Sequence, residues 1–194
     1  MGLGDWVRPW TGAGYRHIPQ DSPRDVLDLT YSLKAKDNRW NEQGEPTLYF
    51  AKDHGVVAAE WARHLKVKRT PKLAQLFKPR AVYRCRIASV RLIDLCDSAV
   101  WNDLRLDDLP YRFTDTRLAR ALAHLARYST DAEGLIVPSM AFLDDLSRWD
   151  VVLFHEKVQD RKFVTSKRVV GTLTYETIRP YLAASAPEQA HPAP

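Results

Sequence analysis

Two periods of apolar residues run along the chain, and each predicts its own kind of element. "RAVYRCRIASVRLIDL" alternates, with Ala81, Tyr83, Cys85 and Ile87 on one face and Arg80, Arg84 and Arg86 on the other. That pattern predicts a half-exposed strand. "GLIVPS" reads as a buried strand stopped by Pro138, "WDVVLF" as another, and "RKFVTSKRVVGTLTY" as a hairpin. "YRHI" is a short strand ending at Pro19. Helical spacing appears in "TDTRLARALAHLARYS", where Leu118, Leu122 and Leu125 share a side and Thr114 or Asp115 is the cap. It appears again at Val57, Trp61 and Leu65, in a helix capped by Asp53 and running to about Leu65. Ser22 and Pro23 predict the start of a third, short helix.

Strands and helices do not alternate regularly enough for a doubly wound sheet. The expectation is an α+β fold, a compact mixed or antiparallel sheet with flanking helices. No internal repeat is visible. Residues 1–14, rich in Gly, Trp and Pro, read as an irregular N-terminal arm, residues 15–182 as one domain, and residues 183–194 as a disordered Ala/Pro-rich tail.

Composition narrows the class. The 194 residues are 45% hydrophobic and 27% charged, which suits one soluble globular domain with a real core. No apolar run approaches the length of a membrane span, and "MGLGDWVRPW" lacks the pattern of a signal peptide or a myristoylation signal. The cytoplasm is the expected location. Cys85 and Cys96 stand in no CxxC-like arrangement, and the six histidines include no HExxH, so a metal enzyme is not expected.

Charge leaves a choice open. The net charge is +5, with basic residues densest over residues 64–86. Such a surplus serves a solvated face, a pocket for an anionic small molecule, or a nucleic-acid surface. Aromatic residues do not alternate with these charges as a base-stacking platform requires, so direct nucleic-acid binding is the weaker reading.

Polar residues placed where packing does not ask for them carry the candidate chemistry. Arg16 follows Tyr15 in the first strand. Arg39, Trp40 and Asn41 precede a turn containing Gly44 and Pro46, and Tyr49 lies on the strand after it. Glu60 sits among small apolar residues in "GVVAAEWARHL", where a carboxylate must be paired or hydrogen-bonded. Ser139 directly follows Pro138. Each has an ordinary structural explanation: an ion pair of Glu60 with Arg63 or Arg39, salt bridges for the arginines, a core ring for Tyr49, a strand-end hydroxyl for Ser139.

Taken in order, "YR … NRWNEQGEPTLYFA … E … GLIVPS … DVVLF" resembles the RES domain, the toxin half of bacterial toxin–antitoxin pairs, over roughly residues 15–155. The family's Arg, Glu and Ser map to Arg16 or Arg39, Glu60 and Ser139. Two positions depart from the pattern. Asp37-Asn38 stands where glycine is usual, although Asn38 tolerates positive φ, and Asp150 stands where asparagine is common.

The resemblance implies an ADP-ribosyltransferase-like fold and an active site that consumes NAD at the nicotinamide–ribose bond. Water or phosphate would be the acceptor, with protein ADP-ribosylation as the alternative. It also implies an Xre-like antitoxin that blocks the pocket; self-association as a homodimer is left open. In that setting Arg16 and Arg39 would clamp the pyrophosphate, Glu60 would stabilise the oxocarbenium-like ribose, Tyr49 or Tyr15 would stack on nicotinamide, and Ser139 would orient ribose or Glu60. Trp40 is assigned to packing and Asn41 to turn geometry. No metal is called for, because the leaving group is already cationic. A non-catalytic basic nucleic-acid module, with its footprint on residues 66–86, is the rival of another class.

Overall fold

β-Branched and aromatic residues concentrate in six segments, and all six become strands of one sheet in the computed structural model, which describes residues 2–36, 38–67 and 78–183. In chain order the strands are β1 (Arg8–Pro19), β2 (Thr47–Ala51), β3 (Arg80–Asp94), β4 (Gly134–Pro138), β5 (Trp149–Phe154) and β6 (Val164–Leu173). The helices are α1 (Thr30–Lys34), α2 (His54–Val67), α3 (Ser98–Leu104), α4 (Thr116–Ser129), α5 (His155–Val158) and α6 (Tyr175–Ala183). Short 3-10 turns occupy Leu3–Trp6 and Tyr111–Thr114. The fold is α+β, as the irregular order of elements predicts.

The strand order is β1-β2-β5-β4-β3-β6, and β1 also pairs with β3, so five strands close on themselves while β6 extends the sheet beyond β3. Only β3–β4 is parallel; the other pairings are antiparallel. Alternation then sorts side chains into an inside and an outside. Leu48, Phe50, Cys85, Ile87, Val90, Val151 and Leu153 fill the inside. Ala51, Val82 and Leu173 face outward beneath α2 and α6, and Trp40, Ile93, Leu135, Val152 and Phe154 lie beneath α4 and the Tyr111–Thr114 turn.

Four expectations from the sequence are corrected. Residues 8–14 are not an irregular arm: β1 begins at Arg8 and pairs with β3 from Arg8↔Leu92 to Pro19↔Arg80. Glycine disguised the strand, and Gly14 is needed there because a Cβ would lie 2.5 Å from the Phe50 Cβ. The helix from Pro23 does not form. The Ser22 hydroxyl accepts from the Arg24 amide, and the Asp25 and Asp28 carboxylates accept from the Leu27 and Thr30 amides, so side chains compete with helical bonding. Residues 161–175 make no hairpin; β6 runs unbroken along β3, and α6 follows. On α4, Leu122 is buried but Leu125 is 49% exposed, and Ala119, Ala123 and Ala126 complete the packed stripe. Residues 184–194 of the expected tail lie outside the described residues, as do Lys68 and Lys72 of the basic segment.

Candidate active site

The site grows from two local devices. The Asp53 carboxylate accepts from the Val56 amide at 2.9 Å and caps α2, which starts that helix at the end of β2 and lays it over the outer face of the sheet. Small residues (Ala58, Ala59, Ala62) let the helix lie close, and Glu60 is carried with it. Meanwhile Pro138 ends β4 and turns the chain, leaving Ser139 fully buried with its amide donating to the Arg148 carbonyl at 2.9 Å.

These devices bring Glu60 and Ser139 together. Ser139 Oγ donates to Glu60 Oε1 at 2.6 Å, and the Ala141 amide donates to the same oxygen at 2.9 Å. One carboxylate oxygen is thereby held by two donors from the β4–β5 connection, and the orientation of the group is set. The serine is a partner of the glutamate across 79 residues, and its oxygen also accepts from the Ala141 amide at 3.3 Å.

Arg39 and Tyr49 sit near this pair but are engaged. Arg39 Nη1 donates to the Thr114 carbonyl at 2.8 Å and also to that of Phe113. Partial burial and the neighbouring Arg63 lower its pKa, opposed by the charge of Glu60. The Tyr49 hydroxyl donates to Asn41 Oδ1 at 2.6 Å and accepts from the Trp40 amide at 3.3 Å. Burial pushes the phenol pKa upward. Asn41 is buried, and its Nδ2 donates to the carbonyls of Glu42 and Glu45, across the turn where Gly44 takes φ 93°. Trp40 is buried edge-on against Phe113, at 5.0 Å between ring centres.

Arg16 belongs to a second group. It lines a cavity of about 690 Å³ that also touches Tyr49, and Trp61, His64, His17 and Arg80 share its walls. Arg16 Nη2 donates to the Asp28 carbonyl at 3.1 Å, while Nη1 is buried without a partner. Burial lowers the pKa of Arg16 to about 10, and that of Arg80 likewise to about 10. Arg80 stacks on the Trp61 ring at 4.3 Å and donates to His17 Nδ1. Burial first, then Arg80, holds His17 well below the usual histidine range, which keeps it a neutral acceptor.

The structure thus unites Glu60 with Ser139, sets Arg39 within electrostatic reach, and joins Arg16 to Tyr49 through the cavity. Consecutive residues of α2 bridge the halves, Glu60 toward Ser139 and Trp61 toward Arg16. Tyr15 does not line this cavity; it neighbours Arg16 in β1 and points the other way, onto the outer face under α2, where it pairs with Ala51 and packs with Ala51 and Val57. Arg80 and Trp61 line the cavity without having been singled out by the sequence pattern. Arg80 looks like one more surface arginine of an alternating strand, and Trp61 like a packing residue; only the β1–β3 register and the placement of α2 reveal them.

A family model described as the RES domain matches residues 15–175. The chain belongs to the RES domain family. The match begins at the Tyr15-Arg16 pair and spans Arg39, Tyr49, Glu60, Arg80 and Ser139, so both groups of candidate residues lie within it. Its fold is similar to that in the crystal structure of the M. tuberculosis MbcT-MbcA toxin–antitoxin complex, with a TM-score of 0.69 and 17% identity, covering 92% of each chain. At that identity the likeness is one of fold. No curated protein matches the chain at a significant level. Among the described residues, no helix is long and apolar enough to cross a membrane.

Proposed function

We propose that this RES domain is the toxin of a toxin–antitoxin pair and consumes NAD by cleaving the nicotinamide–ribose bond. The observation that carries the reading is the Glu60 carboxylate, held at 2.6 Å by Ser139 and at 2.9 Å by the Ala141 amide. Departure of nicotinamide leaves positive charge on the ribose. A carboxylate already fixed in orientation stabilises that charge more in the transition state than in the ground state, without reorganising as the bond breaks.

The cavity supplies what the rest of the dinucleotide needs. Arg16 has a buried, unpartnered Nη1, and Arg80 lines the same walls, so two guanidinium groups are available for the pyrophosphate. Tyr49 offers a ring for a base, while the Trp61 ring is covered by Arg80 and stacked with His64. Arg39, whose Nη1 is tied to the Phe113 and Thr114 carbonyls, is read as a fixed positive charge within electrostatic reach of Glu60, a revision of the clamp expected from sequence. Ser139 orients Glu60. Water or phosphate is the proposed acceptor.

The partner is an antitoxin, of the Xre-like kind that the family resemblance implies. Support comes from family membership and from the toxin–antitoxin complex whose fold this chain shares. The experiment is to incubate purified protein with NAD, with and without phosphate, and to separate the products by mass. Release of nicotinamide with ADP-ribose, or with ADP-ribose 1″-phosphate, is expected. Unchanged NAD would overturn the reading.

A further inference from the structure

An aspartate lies on the sheet beneath α2, the helix that carries Glu60. Asp150 is the second residue of β5, paired with Ala51 on β2 and with Val137 on β4. Residues opposite one another in a sheet share a face, so its carboxyl lies on the outer face, under α2. Ser139 is two residues beyond Val137 and continues the same alternation. Asp150 is therefore the diagonal neighbour of the serine that grips Glu60.

A strand with sheet on both sides and the apolar run Val151–Phe154 behind it is a costly place for a carboxylate. Nothing nearby offsets that cost. Among the described residues Asp150 has no ion pair. Lys52, next after Ala51 on β2, donates to the Ser147 carbonyl, and Arg148 donates to Asp145. The titratable groups within electrostatic reach of Asp150 are Glu60, from α2, and Cys96, from the segment after β3, and Tyr15 of β1 shares its row through Ala51. Arg39 acts on Glu60 instead. Both surroundings of Asp150 oppose ionisation: burial first, then the charge of Glu60, and together they raise its pKa well above the usual aspartate range.

We propose that Asp150 is a positioning residue for Glu60, serving as a neutral carboxylic acid so that the two side chains carry one negative charge between them beneath the reacting ribose. The O–H of such an acid is a donor, as an amide N–H would be in its place. The arrangement keeps the catalytic charge on Glu60, where Ser139 and Ala141 fix it. Loss of the Asp150 proton puts a second charge beside the first and removes the donor. The catalytic side of this inference rests on the NAD reading; the protonation state does not.

The test compares the wild type with Asp150→Asn, and each with its Glu60→Gln counterpart, in two measurements. The first is thermal unfolding across pH without NAD. A carboxyl whose pKa is raised by folding loses its contribution to stability as pH climbs from the unfolded to the folded value. Asp150→Asn should therefore be the more stable protein at about pH 8, with the gap closing toward about pH 4, where the unfolded aspartate also takes up its proton. The gap should narrow in the Glu60→Gln background, because one of its two causes is gone. A gap that is independent of pH overturns the proposal.

The second measurement is the pH profile of NAD turnover. The wild type should lose kcat/KM on the alkaline side, and the Asp150→Asn profile should stay flat there. An alkaline limb unmoved by the substitution also overturns it. If no variant consumes NAD, the functional reading fails, and the unfolding curves still decide the state of Asp150.

Discussion

At the scale of single residues, the chemistry depends on one carboxylate oxygen with two donors. Glu60→Gln preserves the shape, and the amide oxygen still accepts from Ser139 and Ala141, so the fold should survive. The negative charge is lost, and NAD turnover should fall by about 100-fold or more. Turnover at the wild-type rate with an unchanged melting curve would make Glu60 structural. Ser139→Ala tests the positioning side. Removing one hydrogen bond to a charged group costs about 1.5–3 kcal/mol, so kcat should drop by about 10- to 100-fold. KM should change little, because Ser139 touches Glu60 and not the pyrophosphate. A KM effect without a kcat effect would place the serine on the substrate instead. These residues were legible because their types and order survive in one dimension. Their pairing was only half legible: Ser139 and Glu60 are 79 residues apart, and nothing local announces their contact.

At the scale of elements, the site depends on where α2 starts and on how tightly the sheet closes. Asp53 caps α2 through the Val56 amide. Asp53→Ala should lower stability by about 1 kcal/mol, measurable by urea unfolding, and should reduce turnover beyond that, since Glu60 rides on the helix. Stability loss with turnover intact would separate the cap from the site. Closure is tested at β1. A Cβ on Gly14 would meet Phe50 Cβ at 2.5 Å and Cγ at 3.1 Å, both inside the closed sheet. Gly14→Ala should therefore destabilise the protein by about 1–3 kcal/mol through overpacking. A neutral result would mean that β1 can move away from β2 at no cost. These element boundaries also show where pattern reading fails. Periodicity found β2 through β5, α2 and α4, because each buries a regular stripe. It missed the first half of β1, where glycines replace the apolar signal, and misread β6, whose partner is the distant β3 rather than a neighbouring segment.

At the scale of the whole molecule, the question is what the positive charge does. In the NAD reading the useful cations are those in the cavity, Arg16 and Arg80, with Arg39 beside Glu60. Of the basic segment, Lys78 and Arg80 line that cavity; Lys66 is exposed, and Lys68 and Lys72 lie outside the described residues. Replacing Lys66, Lys68 and Lys72 together with glutamine should leave growth arrest and NAD depletion intact when the chain is expressed in bacteria without an antitoxin. Glu60→Gln should abolish both. Arrest that needs the lysines but not Glu60, with cellular NAD undiminished, would favour the nucleic-acid module, since each lost phosphate contact weakens such binding.

The sequence by itself determined the class of the fold, strands β2 to β5 and helices α2 and α4, the ordered set Arg16, Arg39, Tyr49, Glu60 and Ser139, and through that set the family. Those are properties of local periodicity, residue type and spacing, and they need no knowledge of what lies across the sheet. Tertiary structure alone decided that β1 closes onto β3, that Tyr15 and Arg16 face opposite ways, and that Arg39 Nη1 is shared between two carbonyls. It also decided that Arg80 and Trp61 share a cavity with Arg16, and that Asp150, opposite Ala51 on the face under α2, comes within electrostatic reach of Glu60. The reason is strand register. A shift of one residue reverses the face of every side chain, and register between segments tens of residues apart is set by packing the whole sheet at once.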